Sequence, residues 1–270
     1  MFKLELRASA GGLARPLDRK AVTAMRLSRI AGFELTPANF EGDGKGVLRA
    51  ELKNMFEEAG KLAPTYHVPF DRLDDVSDTD EAVRLCALER LRRYLDEAYF
   101  FGAGIVVLHP STEPADGARA VHIRQLARSL ADITPALTAR GQFVALEWLP
   151  RSCIGNSFEE LDAVMKLAQS QRVGICLDLN HLMSGHRELP EMIVAFGDRL
   201  LEVHVSDYDG VDEKHWMPGE GVIDWPAVIG ALRRIGFDGA FNYELYPVAG
   251  SAEDNVRRIE KNFFEFMNKL

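Results

Sequence analysis

The stretch Arg172-Val173-Gly174-Ile175-Cys176-Leu177-Asp178-Leu179-Asn180-His181 begins as an apolar run short enough for a buried strand. It ends in a carboxylate and an imidazole three residues apart. Ionisable groups are costly to bury unless they are paired or bound to a metal. The pattern recurs: Tyr66-His67-Val68-Pro69, Val107-Leu108-His109-Pro110, Leu146-Glu147-Trp148, Val203-His204-Val205-Ser206-Asp207 and Tyr243-Glu244-Leu245-Tyr246 each close a β-rich run. Carboxylate oxygens and neutral imidazole nitrogens form the ligand set of Zn²⁺ or Mn²⁺, and the carboxylates also suit Mg²⁺. Taken singly, each residue has a bland use, as a helix cap, a packed histidine or a loop ion pair. Taken together, they point to a divalent ion that stabilises acids at the ends of buried strands.

Elements that bring six run-ends together must alternate. Short β-rich runs occupy Leu4–Ala8, Gly32–Leu35, Pro64–Val68, Gly104–His109, Gln142–Trp148, Val173–Asp178, Leu200–Val205 and Phe241–Leu245. Between them lie stretches with helical spacing, such as Leu85, Leu88, Leu91, Leu95 and Ala98, or Leu126, Leu130, Ile133 and Leu137. Ser157-Phe158-Glu159-Glu160 has the spacing of a capping box, and Asp224 precedes the first-turn proline Pro226. Gly32, Gly60, Gly102, Gly141 and Gly236 stand where helices should stop. This alternation, unbroken by a linker, predicts a single (β/α)8 TIM barrel over residues 1–270. The carboxyl ends of its strands form the active-site mouth. An open doubly wound sheet is the competing architecture, but no G-x-G-x-x-G follows the first strand.

Composition narrows the partners. The chain has 270 residues, 32 basic against 41 acidic, for a net charge of −9, a surface that does not invite nucleic acid. Cys86, Cys153 and Cys176, odd in number and far apart, suggest no disulfide framework and favour a reducing compartment. Lys3, Glu5 and Arg7 interrupt the N-terminus, and no apolar run is long enough for a bilayer. A cytoplasmic protein acting on a small molecule is expected, with no membrane partner and homo-oligomerisation left open.

Several segments carry a resemblance. Leu146-Glu147-Trp148-Leu149-Pro150-Arg151, Cys176-Leu177-Asp178-Leu179-Asn180-His181 and Val203-His204-Val205-Ser206-Asp207 come first. His215-Trp216-Met217-Pro218-Gly219-Glu220-Gly221-Val222-Ile223-Asp224-Trp225 and Tyr243-Glu244-Leu245 follow in the same order. As an ordered set these resemble the xylose isomerase-like TIM-barrel superfamily of sugar phosphate isomerases and epimerases, to which the endonuclease IV group is related. The resemblance implies one divalent ion (Mn, Mg or Zn) held by Glu147, Asp178, His204 and Glu244, with a second site left open. It implies that His181 touches a substrate hydroxyl or a second ion. His67, His109 and His215 fall at ligand positions of the three-zinc endonucleases, where Glu213 stands in place of an Asp.

The implied activity is that of an isomerase or epimerase of a small keto- or aldo-sugar, phosphorylated or not. A metal chelated by the carbonyl and its neighbouring hydroxyl would lower the barrier to C–H proton removal and stabilise the enediolate. Glu147 and Glu244 are the expected acid/base pair. His67, His109, His181, His215 and Trp148 are expected to bind substrate, with Glu213 a further candidate ligand. Arg151 suits a loop salt bridge or an anionic tail. The alternatives are a zinc phosphodiesterase acting on abasic DNA, a sugar dehydratase using the same proton abstraction, and a binding protein without turnover.

Overall fold

The computed structural model describes residues 4–40, 47–113, 117–246 and 250–267. Eight strands and eight α-helices alternate along them. The order is β1 (Leu6–Ser9), α1 (Arg19–Leu27), β2 (Gly32–Glu34), α2 (Arg49–Glu58), β3 (Thr65–His67), α3 (Glu81–Phe101), β4 (Ile105–Leu108) and α4 (Arg119–Arg140). Then come β5 (Phe143–Glu147), α5 (Phe158–Ala168), β6 (Val173–Asp178), α6 (Leu189–Phe196), β7 (Leu200–Val205), α7 (Trp225–Arg234), β8 (Ala240–Tyr243) and α8 (Ala252–Met267). The strands pair in parallel in the order β2-β1-β8-β7-β6-β5-β4-β3. Two single bridges, Gly32 to Leu62 and Leu35 to Tyr66, join the ends into a nearly closed barrel. The (β/α)8 expectation holds, and the open sheet is excluded.

The helices form for the reasons their spacing suggests. Leu126, Leu130, Ile133 and Leu137 are all fully buried on one face of α4, each contributing about 1.5–3 kcal/mol. Leu88, Leu91, Leu95 and Ala98 do the same for α3, whereas Leu85 is 48% exposed and lies off that face. Ser157 Oγ accepts from the Glu160 N–H at 3.3 Å, and Asp224 Oδ1 accepts from the Ala227 N–H at 3.1 Å. Gly102 and Gly141 close α3 and α4 in the left-handed conformation. Gly32 differs from its expected role: it opens β2, where a Cβ would lie 2.9 Å from Pro64 Cδ. Close approach at the barrel seam, not helix termination, demands glycine there.

Successive side chains along a strand point to opposite faces. The inward set therefore reads Glu34 on β2, Thr65 and His67 on β3, and Ile105, Val107 and His109 along and just past β4. It continues with Ala145 and Glu147 on β5, Gly174, Cys176 and Asp178 on β6, Glu202 and His204 on β7, and Asn242 and Glu244 along and just past β8. β7 carries one extra residue: Ile175 pairs with Leu200, but Cys176 pairs with Glu202. This bulge re-aims the rest of the strand, so that Glu202 and His204 face the interior. Leu201 packs against the inner cluster of Val107, Ala145 and Cys176. Gly174 leaves room for it, since a Cβ there would lie 2.6 Å from Leu201 Cγ.

Candidate active site

The structure brings His67, Glu147, His204 and Glu244 together, one ligand atom from each lying within 4.8 Å of the others. His204 Nδ1 lies 2.9 Å from Glu244 Oε2 and 3.4 Å from Glu147 Oε1. His67 Nδ1 donates to the Val68 carbonyl at 2.9 Å, which turns Nε2 toward Glu147 Oε2 at 3.4 Å. His109 Nε2 reaches the same oxygen at 3.1 Å. Despite these separations, neither His204 Nδ1 nor Glu147 Oε2 has an aligned hydrogen-bond partner, and both are buried. Facing, unpartnered ligand atoms out of contact with water fit a cation held between them.

Asp178 departs from expectation. Its ligand oxygen clusters with His181 and His215 rather than with the four groups above. The Asn180 N–H donates to Oδ1 at 2.7 Å, and His181 Nε2 stands 3.5 Å from Oδ2. These two groups draw the carboxylate toward the loop after β6. Oδ2 is nevertheless buried without an aligned partner. His181 is fixed by its Nδ1–H donating to the Trp148 carbonyl at 2.9 Å, while its Nε2 meets Glu213 Oε2 at 3.1 Å. His215 adopts a left-handed φ of 49°, rare for a residue with a Cβ. Its Nδ1–H donates to the Glu244 carbonyl at 3.1 Å.

Burial alone would raise the Glu147 carboxyl, but His109, His204 and His67 more than offset it and hold it well below the usual range. Glu244 is likewise kept ionised against burial, by His204, His67 and His215. Burial raises Asp178 to about 6, with His181 and His215 opposing. Burial depresses His67 and His181, yet neighbouring carboxylates lift both to about 10. His109 goes the other way, because burial outweighs its carboxylate neighbours. The protein's own groups thus pair carboxylates with imidazolium protons that a metal ion would replace.

A layer lies beneath the mouth that the sequence reading does not include. Glu34 Oε2 lies 3.3 Å from His204 Nε2, and Asn242 Nδ2 donates to Glu34 Oε1 at 3.0 Å. Glu202 sits beside them with both oxygens unpartnered, and burial, followed by the nearby Glu34, pushes its carboxyl well above the usual range. The available signal was a lone acid in an otherwise apolar second strand, Gly32-Phe33-Glu34-Leu35.

Other expectations need correction. Trp148 does not line the cleft: its indole packs edge-on against Phe196 of α6, and only its carbonyl serves the site. Alternation is the reason, since Glu147 points inward and the next residue must point outward. Asp207, at the end of the β7 run, also turns away from the mouth. Its carboxylate accepts from the Gly219 N–H at 2.9 Å, the Ile223 N–H at 3.2 Å and Trp225 Nε1 at 3.0 Å. It thereby ties down the loop that carries Glu213 and His215. Arg151 forms the loop salt bridge, with Asp212 at 2.9 Å and with Glu213. Glu213 reaches inward as a ligand would, but it is already shared between His181 and Arg151.

The cleft above these groups has a volume of about 560 Å³. His67, His109, Glu147, His181, Glu213, His215 and Glu244 line its polar side, and Phe70, Leu149 and Pro150 its apolar side. The candidate ligand groups thus lie at the base of this cleft. Residues 28–262 match the sequence family described as xylose isomerase-like TIM barrel. The chain belongs to that family. An uncharacterised protein of Methanocaldococcus jannaschii is 27% identical over 225 residues, which is 81% of this chain and 74% of that protein. The D-psicose 3-epimerase of Enterocloster bolteae is 26% identical over 215 residues, 74% of this chain and 67% of the epimerase. An inosose isomerase of Bacillus subtilis is 25% identical over 150 residues, and the match spans about half of each, 52% and 54%. Among solved structures, a D-tagatose 3-epimerase-like protein superposes with a TM-score of 0.80 at 20% identity, covering 98% of this chain and 99% of its own. A D-allulose 3-epimerase from a Methylomonas species gives a TM-score of 0.81 at 18% identity, covering 100% and 98%. Both confirm the fold.

Proposed function

We propose that this family member is a divalent-metal-dependent isomerase or epimerase of a small sugar. The observation that carries the reading is one cleft with Glu147 at the end of β5 and Glu244 just past β8, three places apart around the barrel, their carboxylates converging on His204. Relatives named as sugar isomerases and epimerases support the substrate class. Glu147, His204 and Glu244 would hold the ion, with Asp178 as the fourth ligand. Asp178 brings a third anion and an unpartnered oxygen, whereas His67 Nε2 already faces Glu147. When bound, such an ion supplies Lewis-acid polarisation of a substrate carbonyl.

The chain's own residues do the rest. Glu147, kept ionised by the imidazoles around it, takes the proton from the carbon next to the carbonyl. For epimerisation Glu244, on the other side of the mouth and ionised at rest, first takes up a proton from solvent and then delivers it to the opposite face. For isomerisation, one carboxylate carries the proton between neighbouring carbons. His181 and His215 face the substrate from the loop side, and His67 and His109 from the other. Phe70, Leu149 and Pro150 wall the cleft against water.

A one-ion site suits this reading, because Glu213 and His181 satisfy each other at 3.1 Å and Arg151 neutralises Glu213 further. The test is a panel of ketoses in D₂O with added Mn²⁺, following deuterium entry at the carbon next to the carbonyl. Exchange with at least one sugar supports the proposal. No exchange, together with three stoichiometric zinc ions and nicking of abasic DNA, would replace it with the phosphodiesterase reading.

A further inference from the structure

We propose that Glu34 is a positioning residue that fixes the ring plane and tautomer of His204, so that Nδ1 faces the divalent ion. The inference rests on the metal-dependent reading above and adds a residue to it. Its basis is the difference between the two ring nitrogens. Nδ1 has two carboxylates within 3.4 Å, at 2.9 Å from Glu244 and 3.4 Å from Glu147, yet forms an aligned hydrogen bond with neither. Nε2 has an aligned partner in Glu34 Oε2 at 3.3 Å. With an ion bound, the lone pair would therefore lie on Nδ1 and the proton on Nε2, whereas without one the two carboxylates around Nδ1 favour a proton there as well.

Two buried acids compete for that proton, and distance decides between them. Glu202 Oε1 lies 4.0 Å from Nε2, beyond hydrogen-bond range, and both Glu202 oxygens are unpartnered. Glu34 is nearer, and it is itself held by Asn242 Nδ2 at 3.0 Å. Glu34 reaches His204 across the barrel interior, from a strand three places away in the sheet order. Its full length is therefore needed. Among the described residues no lysine or arginine pairs with it, and its carboxyl group meets the imidazole instead. A carboxylate accepting from the far nitrogen orients a ligating histidine and raises its basicity, and loss of such a partner costs about 10–100-fold in metal affinity.

The experiment titrates chelator-treated protein with Mn²⁺, reading free Mn²⁺ by electron paramagnetic resonance. Wild type is compared with Glu34→Asp, Glu34→Gln and His204→Ala, and thermal melting of each metal-free protein checks its fold. Glu34→Asp withdraws the acceptor and should weaken Mn²⁺ binding by about 10–100-fold. Glu34→Gln keeps an acceptor without charge and should lose less. In Zn²⁺-loaded, ¹⁵N-labelled wild type, the His204 ring should show a metal-bound Nδ1 and a protonated Nε2, a signature that a mere space-filling role would not produce. If Glu34→Asp does not fold, the Gln variant and the ring signature decide. Affinity unchanged in every folded Glu34 variant, or a ring bound to metal through Nε2, overturns the inference while leaving the metal site standing. A wild type that binds no Mn²⁺ overturns both.

Discussion

Two clusters of like composition share the mouth of this barrel, and they are held differently. Glu147 and His204 lie on strands, and Glu244 follows one directly; around them Glu147 Oε2 and His204 Nδ1 are left without aligned partners. In the neighbouring group, Glu213 and His215 come from the β7–α7 loop. There His181, Glu213 and Arg151 satisfy one another, and His215 spends one nitrogen on a backbone carbonyl. Unsatisfied groups on rigid strands suit a metal ion, because they converge without rearrangement and gain most from it. Satisfied groups on a loop suit a substrate, since their hydrogen bonds exchange for hydroxyls at little net cost. Asp178 stands between the two, with one oxygen held by the loop and the other free.

The largest effect should fall on the acid/base pair. Glu147→Gln and Glu244→Gln keep an oxygen ligand but cannot accept a proton, so proton exchange should drop by about 10²–10⁴-fold. Retained circular dichroism would confirm intact folds, and wild-type exchange in both variants would refute the assignment. Next comes metal affinity. His204→Ala, and its combination with Asp178→Ala, should abolish tight Mn²⁺ binding, whereas His67→Ala should leave it largely in place. The reverse ranking, read by calorimetry, would put His67 in the fourth ligand position and break the division drawn here.

A smaller effect is expected from the loop cluster. His215→Ala should raise KM by up to about tenfold, the worth of one hydrogen bond near 1.4 kcal/mol, and leave metal content unchanged. Loss of one zinc per chain in that variant would instead make the second cluster a metal site.

A separate measure is the stability of chelator-treated protein against pH. His67 and His181 are lifted from an ordinary 6.5 to about 10 in the fold. Between those values the folded state binds more protons than the unfolded, so stability should fall as pH rises through that window. Asp178, raised from 3.8 to about 6, acts in the same direction at lower pH. Metal uptake should release protons and bind more tightly as pH rises, which calorimetry in buffers of different ionisation enthalpy would read. A flat melting profile between pH 6.5 and 10 would show that these imidazoles are not charged in the fold.

The sequence by itself determined the alternation of eight strands and eight helices, since each depends on local periodicity, caps and turn glycines such as Gly102 and Gly141. It also determined which acids and imidazoles stand at strand ends, because a residue's place along a strand is a local property. Only the tertiary structure decided how they are shared out. Trp148 faces outward because its neighbour faces in, and Asp207 spends its carboxylate on loop N–H groups. Asp178 is drawn toward His181 by contacts made outside its strand. Glu34 could not be linked to His204 from the chain, because the two are 170 residues apart and meet only when the barrel closes. The extra residue in β7, which turns Glu202 and His204 inward, is equally hidden, for a bulge exists only relative to the strand beside it.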